Sequence, residues 1–236
     1  MEVKDMITKR KSFRSYEERI VEEVVIQQIK NYAKKIQPLY PDIKYYFEIV
    51  KREEVKCILK WLPPQIISIY SEKKEGSFEN IGFIFQQLEL FIQSLGLGTC
   101  WLGMGQPLVK QTNQQGYEHV MMIAFGYAKE DYRQDLSQFK RHSLKEISDI
   151  IDEHLEPARL APSSINSQPW YFLHDQNQIH VYCKTSFLHK MMHRMNLIDM
   201  GIALAHLYVS NPFDFIKQEN VPQLTHKKYI GTIQAR

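Results

Sequence analysis

Apolar positions recur every three or four residues in three stretches of the chain. Val25, Ile29, Tyr32 and Ile36 predict a helix over residues 22–36, which Pro38 and Pro41 end. Phe78, Ile81, Phe85, Leu88, Ile92 and Leu95 predict a longer helix that stops at Gly96. Met191, Met195, Ile198, Ile202, Ala205 and Val209 predict a third over residues 187–210, closed by Asn211 and Pro212. Its methionines read as core filler. Runs rich in aromatic and β-branched residues predict strands at 44–50, 64–70, 119–127, 170–174, 178–184, 213–217 and 229–234. Short helices are expected at 2–9, 106–114 and 154–161.

The pattern repeats. Arg10-x-Ser12-x-Arg14 is echoed by Arg141-x-Ser143-x-Lys145, Tyr46-Phe47 by Tyr171-Phe172, and Asn80-x-Gly82 by Asp199-x-Gly201. The offsets drift slowly, which reads as a duplicated α+β unit. The chain is expected to be one intertwined domain over residues 1–236, with half-repeats of about 1–140 and 141–236. The halves differ in chemistry. A Gly-rich stretch, 96–103, follows the long helix of the first half only. A polar loop, Pro162-Ser163-Ser164-Ile165-Asn166-Ser167-Gln168-Pro169-Trp170, occurs in the second half only.

Composition narrows the reading. A net charge of +3, with basic residues spread along the chain, gives no footprint for nucleic acid. Cys57, Cys100 and Cys183 are far apart, so neither a disulfide framework nor a zinc site is indicated. His189 and His193 share a helical face without the glutamate of a His-Glu-x-x-His motif, so no metal is expected. Residues 1–11 are charged, and no apolar run reaches the ~18 residues that span a bilayer. The expectation is a cytoplasmic protein with no membrane partner.

The candidate chemistry lies in three places. Arg10, Lys11, Ser12 and Arg14 put three cations and a hydroxyl within five residues. Charge-assisted bonds from such groups suit a phosphate. Glycines in 96–103 let backbone approach a ligand closely. In the polar loop, carboxamides present a donor and an acceptor side by side, as the edge of a flat heterocycle does. The same loop also reads as an ordinary turn between helix and strand. Cys100, beside Trp101 and Leu102, reads as a buried thiol rather than a nucleophile.

Taken together, Arg10 to Arg14, Leu95 to Trp101, Ala161 to Trp170 and Ile198-Asp199-Met200-Gly201 resemble the nitroreductase family of FMN-dependent oxidoreductases. The Gly-rich stretch precedes the Asn-Gln loop here. That order is similar to the subgroup in which one chain imitates the family dimer. The resemblance implies an α+β nitroreductase-like fold with a central, mostly antiparallel sheet flanked by helices. It implies FMN between the halves of a monomer with a pseudo-dimeric fold. The cations of Arg10 and Arg14 and the hydroxyl of Ser12 would grip the phosphate. Arg14 also stands where a basic residue lies near the flavin pyrimidine, and Lys11 belongs to the same cofactor-binding segment. Arg141 would either join the phosphate or be a relic of the repeat. The turn Gly98, Thr99, Cys100, Trp101 and Leu102 would cover the ring, and Pro162, Ser163, Ser164, Asn166 and Gln168 would meet the flavin from the other half. No side chain need be catalytic. NADH or NADPH would reduce the flavin, which would reduce a small electron-poor acceptor such as a nitroaromatic or quinone. A flavin carrier or sensor, or a flavin-consuming or dehalogenating relative, remain alternatives.

Overall fold

A computed structural model describes residues 1–109, 116–185 and 191–235. The first half carries α1 (Glu23–Ala33), β1 (Tyr45–Lys51), β2 (Val55–Lys56), β3 (Gln65–Glu72), α2 (Ser77–Ser94), β4 (Gly98–Leu102), β5 (Gln106–Pro107) and β6 (Tyr117–Gly126). The second carries α3 (Leu144–Ile147), α4 (Glu156–Leu160), β7 (Trp170–Asp175), β8 (Gln178–Lys184), α5 (His193–Ser210), β9 (Phe213–Ile216) and β10 (Lys227–Ala235). None of the described helices is long and apolar enough to cross a membrane.

The α+β fold holds, with one correction: the sheet is not single. Two four-stranded antiparallel sheets form, ordered β1-β3-β6-β4 and β7-β8-β10-β9. Each half supplies two strands, a long helix and two more strands, and each sheet has the same relative strand order. The duplication read from sparse motifs is therefore a duplication of topology.

The halves meet where α2 and α5 cross. A Cβ on Gly82 would stand 2.0 Å from the Ile198 carbonyl oxygen, and one on Gly201 would stand 2.0 Å from that of Glu79. The two contacts are mutual images, as at an isologous dimer interface. No side chain fits there, so both glycines are required by backbone approach. Almost every residue of α2 is buried, and α5 is buried from Asn196 to Leu207.

Asn80 and Asp199 repeat the symmetry one step out. The Asn80 side chain accepts from the Tyr40 N–H at 2.9 Å and donates to the Tyr40 carbonyl at 3.2 Å. Asp199 accepts from the Ser164 N–H at 3.1 and 3.0 Å. Each helix thus anchors the loop that enters the first strand of a sheet.

Two local expectations are corrected. Gly98–Leu102 is not a turn but strand β4, paired along its length with β6. Only Gly96, at φ +88°, makes the turn that ends α2. Gln106–Pro107 is a strand pairing with β2, not the start of a helix. The remainder of that expected helix, from 110 on, and the start of the third helix, 187–190, lie outside the described residues.

A methyl group at the crossing must push two backbones apart. Gly82→Ala or Gly201→Ala should each cost about 3 kcal/mol, the upper range for overpacking, and lower Tm by roughly 10 °C. Gly103→Ala, whose Cβ would meet only a Met195 methyl at 3.4 Å, should be near neutral. Thermal denaturation of the three variants is the check, and equal melting temperatures would refute the close crossing.

Candidate functional site

The segment from Arg10 to Arg14 is drawn across the molecule by β4. Ser12 bridges Thr99, and the Phe13 N–H donates to the Thr99 carbonyl at 2.9 Å. Gly98 makes room for this crossing, since a Cβ there would stand 2.8 Å from the Phe13 ring. The segment is thereby seated on α2.

Arg10 is only 1% exposed. Its guanidinium pairs with Glu89 at 2.9 Å and reaches the Ser12 hydroxyl at 3.3 Å. Glu89 also accepts from Gln86 at 2.6 Å, Gln93 at 2.8 Å and Thr99 at 2.6 Å. Gln86 accepts from the Trp101 indole at 3.0 Å and meets His206 Nε2 at 3.2 Å. His206 Nδ1 stands 3.0 Å from the Pro157 carbonyl, which can only accept. The imidazole is therefore protonated on Nδ1 and accepts from Gln86 at Nε2. Burial pushes its pKa down to about 3, so it stays neutral. One chain of hydrogen bonds thus runs from Arg10 through α2 to Trp101 and α5.

The polar loop is built differently from the sequence expectation. Asn166 and Gln168 direct their carboxamides into protein. Asn166 accepts from Arg141 at 2.7 Å and donates to the Lys140 carbonyl at 2.9 Å. Gln168 accepts from the His142 N–H at 2.7 Å and donates to the Asn166 carbonyl at 3.2 Å. These bonds hold Ile165, Asn166 and Gln168 at φ +48°, +59° and +45°. The loop leaves Pro162, Ser163, Ser164 and Ile165 facing an adjacent cavity.

That cavity has a volume of about 460 Å³ and lies between the halves. It brings together Ser12, Arg14, Cys100 and Trp101 from the first half with Pro162, Ser163 and Ser164 from the second. Its other walls are mainly apolar, with Leu59, Trp61 and Met104 on one side of the chain's midpoint and Met195, Ile198 and Ile202 from α5. Of the remaining expected residues, Arg10, Lys11, Gly98, Thr99, Leu102, Arg141, Asn166 and Gln168 do not line it. Thr99 serves Glu89, and Lys11 pairs with Glu130 at 2.8 Å. Burial raises the Cys100 thiol above its ordinary pKa, which keeps it protonated and a poor nucleophile.

A cation group stands beside the Arg10 network. Arg133 donates to the Arg10 carbonyl, and its guanidinium lies 4.1 Å from the Phe139 ring centroid. Arg141 lies 5.7 Å from the same ring. Burial, then the charge of Arg10, pushes Arg133 down to about 10. Burial, then Arg10, Arg133 and Arg159, pushes Arg141 down to about 9. Arg159 has its own partner in Glu156. The charge of Arg10 thus lowers both Arg133 and Arg141, Arg133 lowers Arg141 further, and the Nε of Arg10 is buried without a partner. An anion would relieve both conditions. Sequence reasoning missed Arg133, because it belongs to no motif and its neighbours come from distant segments.

Asp199 forms part of the cavity wall and is 3% exposed. Burial raises its carboxyl to about 8, against the lowering effect of the Ser164 N–H. At neutral pH the group is mostly protonated, a near isostere of the asparagine at the matching position, Asn80.

The sequence matches the family described as "Putative TM nitroreductase" over residues 2–211. A comparison with curated proteins gives no match. Among solved structures, the chain is similar to a protein from Thermotoga maritima titled a "putative nitroreductase". That match has 20% identity and a TM-score of 0.68, covering 99% of this chain and 94% of that one. A nitroreductase family protein from Clostridium difficile 630 matches at 16% identity and TM-score 0.50, covering 62% of this chain and 96% of that one. An FMN-dependent nitroreductase from Clostridium difficile R20291 gives 14% identity and TM-score 0.46, over 60% and 99% of the two chains. At these identities the first two likenesses show the fold.

The raised Asp199 pKa has a definite sign. Its stabilising contribution is complete below the unfolded value near 4 and is lost as pH rises through about 8. Asp199→Asn should remove that loss. Between pH 5 and pH 8.5, the wild-type Tm should fall relative to that of the variant. Parallel Tm curves would show that Asp199 keeps an ordinary pKa.

Proposed function

The chain belongs to the family described as "Putative TM nitroreductase", and from that membership we propose that it is an FMN-dependent oxidoreductase. It takes electrons from NADH or NADPH and passes them to a small electron-poor acceptor, of the nitroaromatic or quinone class. One observation carries the reading. Ser12 and Arg14 from one half, and Pro162 to Ser164 from the other, converge on one cavity next to a group of undercompensated arginines.

The residues present fit the cofactor. Arg10, Arg133 and Arg141 form a cluster whose charge one buried carboxylate does not balance, and a dianionic phosphate bound beside them would supply the balance. A cavity of about 460 Å³ with apolar walls and few polar groups has the character of a site for a flat ring. When bound, FMN would supply the two-electron chemistry.

The chain's own residues bind, orient and exclude water. Arg10 is too buried to be a mobile clamp and instead fixes Ser12 and the local positive potential. Arg14, on the cavity wall, provides a cation toward the bound ring, where a positive group favours the reduced anionic form. Gln86 holds the Trp101 indole by its N–H and so sets the angle of that wall. Cys100, kept as a thiol, takes no part in bond making. The cavity lies between the two halves, so donor and acceptor would use the same face in turn.

The site is single. At the reciprocal position Tyr40 fills the place that Ser164 holds, and its ring packs edge-on against Phe215 at 5.9 Å. A monomer should therefore carry about one FMN.

Arg141→Ala should weaken FMN binding by about 2 kcal/mol, or roughly thirtyfold, the loss of charged hydrogen bonds. Flavin titration of the stripped protein measures this, and unchanged affinity would remove Arg141 from the phosphate group. Flavin released by heat, combined with sedimentation, should give one FMN per monomer, and two would contradict the single site. Anaerobic mixing with NADH and NADPH should bleach the flavin within seconds. A flavin that stays oxidised would mark a carrier.

A further inference from the structure

Ile165 is the least comfortable residue in the loop. Its φ and ψ are +48° and +21°. A β-branched side chain in the left-handed region is strained, where glycine or asparagine would sit at lower cost. It is also 71% exposed, so burial returns little of that cost. Yet the loop is held firmly around it. The Ser164 N–H is bound by Asp199, the Asn166 N–H by the Ser163 carbonyl at 3.0 Å, and the Ser167 N–H by the Ser164 carbonyl at 3.0 Å. The Asn166 side chain is fixed by Arg141 and Lys140. The position is overdetermined by its neighbours, and strain of that kind concentrates at functional sites.

Ile165 lines the cavity together with Met104, itself 58% exposed. Met104 follows β4, and Leu59 and Trp61 follow β2. The pairing of Val55 with Pro107 and of Lys56 with Gln106 ties these two first-half segments together. Exposed apolar side chains from both halves therefore border a cavity whose wall is already rich in methionine. Methionine adapts its shape to varied apolar partners.

We propose that Ile165 is a specificity-determining residue which, with Met104, grips an apolar arm of the electron acceptor. The acceptor class is then a ring bearing an alkyl or aromatic substituent, in preference to a small hydrophilic one. The inference rests on the reading of this cavity as the oxidoreductase site. It adds that the strained residue is kept for acceptor contact and not for folding.

The test compares Ile165→Asn and Ile165→Leu with the wild type. In flavin-free protein, Ile165→Asn should raise Tm by a few degrees, because asparagine tolerates the left-handed region. The same variant should bind the apolar probe 1-anilinonaphthalene-8-sulfonate about fivefold more weakly. In flavin-loaded protein, the ratio of kcat/KM for a methyl- or alkyl-naphthoquinone to that for unsubstituted benzoquinone should fall about tenfold, through KM. Ile165→Leu, unbranched at Cβ but apolar, should restore the ratio. An Asn variant with a lower Tm, or with unchanged probe affinity and acceptor ratio, would overturn the proposal. A wild type that binds no FMN would instead overturn the functional reading, and the flavin-free measurements would still judge Ile165.

Discussion

Everything in this molecule depends on two helices whose backbones touch. The crossing of α2 and α5 at Gly82 and Gly201 leaves no space for a single methyl group. Helix axes can come so close only where side chains are absent. The approach makes both helices interior ones, with the two sheets and the shorter elements arranged around them. It also fixes Asn80 and Asp199, two residues before each glycine, at positions from which they reach the loops entering β1 and β7. A single contact therefore sets both the relation of the halves and the placement of the loop that faces the cavity.

Burial on all sides creates a problem that the site then uses. A helix with no solvent face must satisfy any polar side chain internally. Gln86, Glu89 and Gln93 on α2 are all buried. Glu89 alone would be an isolated charge in a low-dielectric interior, and Arg10 is the matching cation. The segment around Ser12 is thus tied to α2 by electrostatic necessity. The second half shares in the arrangement through His206 and the Pro157 carbonyl. The network that makes the core tolerable is also the one that positions Ser12 and Trp101 at the cavity.

Local order was legible in the sequence, and long-range pairing was not. The period of Phe78 to Leu95 marked α2 because a helix records its own burial in spacing. The matched Asn80-x-Gly82 and Asp199-x-Gly201 showed the duplication because both mark the same contact. The polar loop was found in place, between α4 and β7, and Ser163 and Ser164 reach the cavity. The carboxamides of Asn166 and Gln168 turn away because His142, Arg141 and Lys140 offer partners, and no spacing rule reveals these. Gly98–Leu102 looked like a turn from its glycines. Pairing with β6 decides otherwise, and Gly98 is small because Phe13 passes over it. Arg133 was invisible, since its company depends on how residues 129–141 fold back on Arg10.

The symmetry of the frame does not extend to its chemistry. At one loop the anchoring residue is Asn80, whose amide both donates and accepts, and the anchored residue is Tyr40. The Tyr40 ring passes within 2.8 Å of where a Gly76 Cβ would stand, and it meets Phe215. Phe215 in turn occupies the space that a Cβ on Gly231 would need. Aromatic bulk has been accommodated there by removing side chains elsewhere, and the space is closed. At the other loop the anchored residue is Ser164, small and polar, and the space beside it stays open. Two copies of one topology thus give one filled position and one cavity, and the difference lies in the size of a few side chains at equivalent places. Because the filled position carries Tyr40 and Phe215 as shared core, it cannot be emptied by one substitution without leaving a void. The asymmetry is built into the packing, so two halves of one topology present different surfaces at equivalent loops.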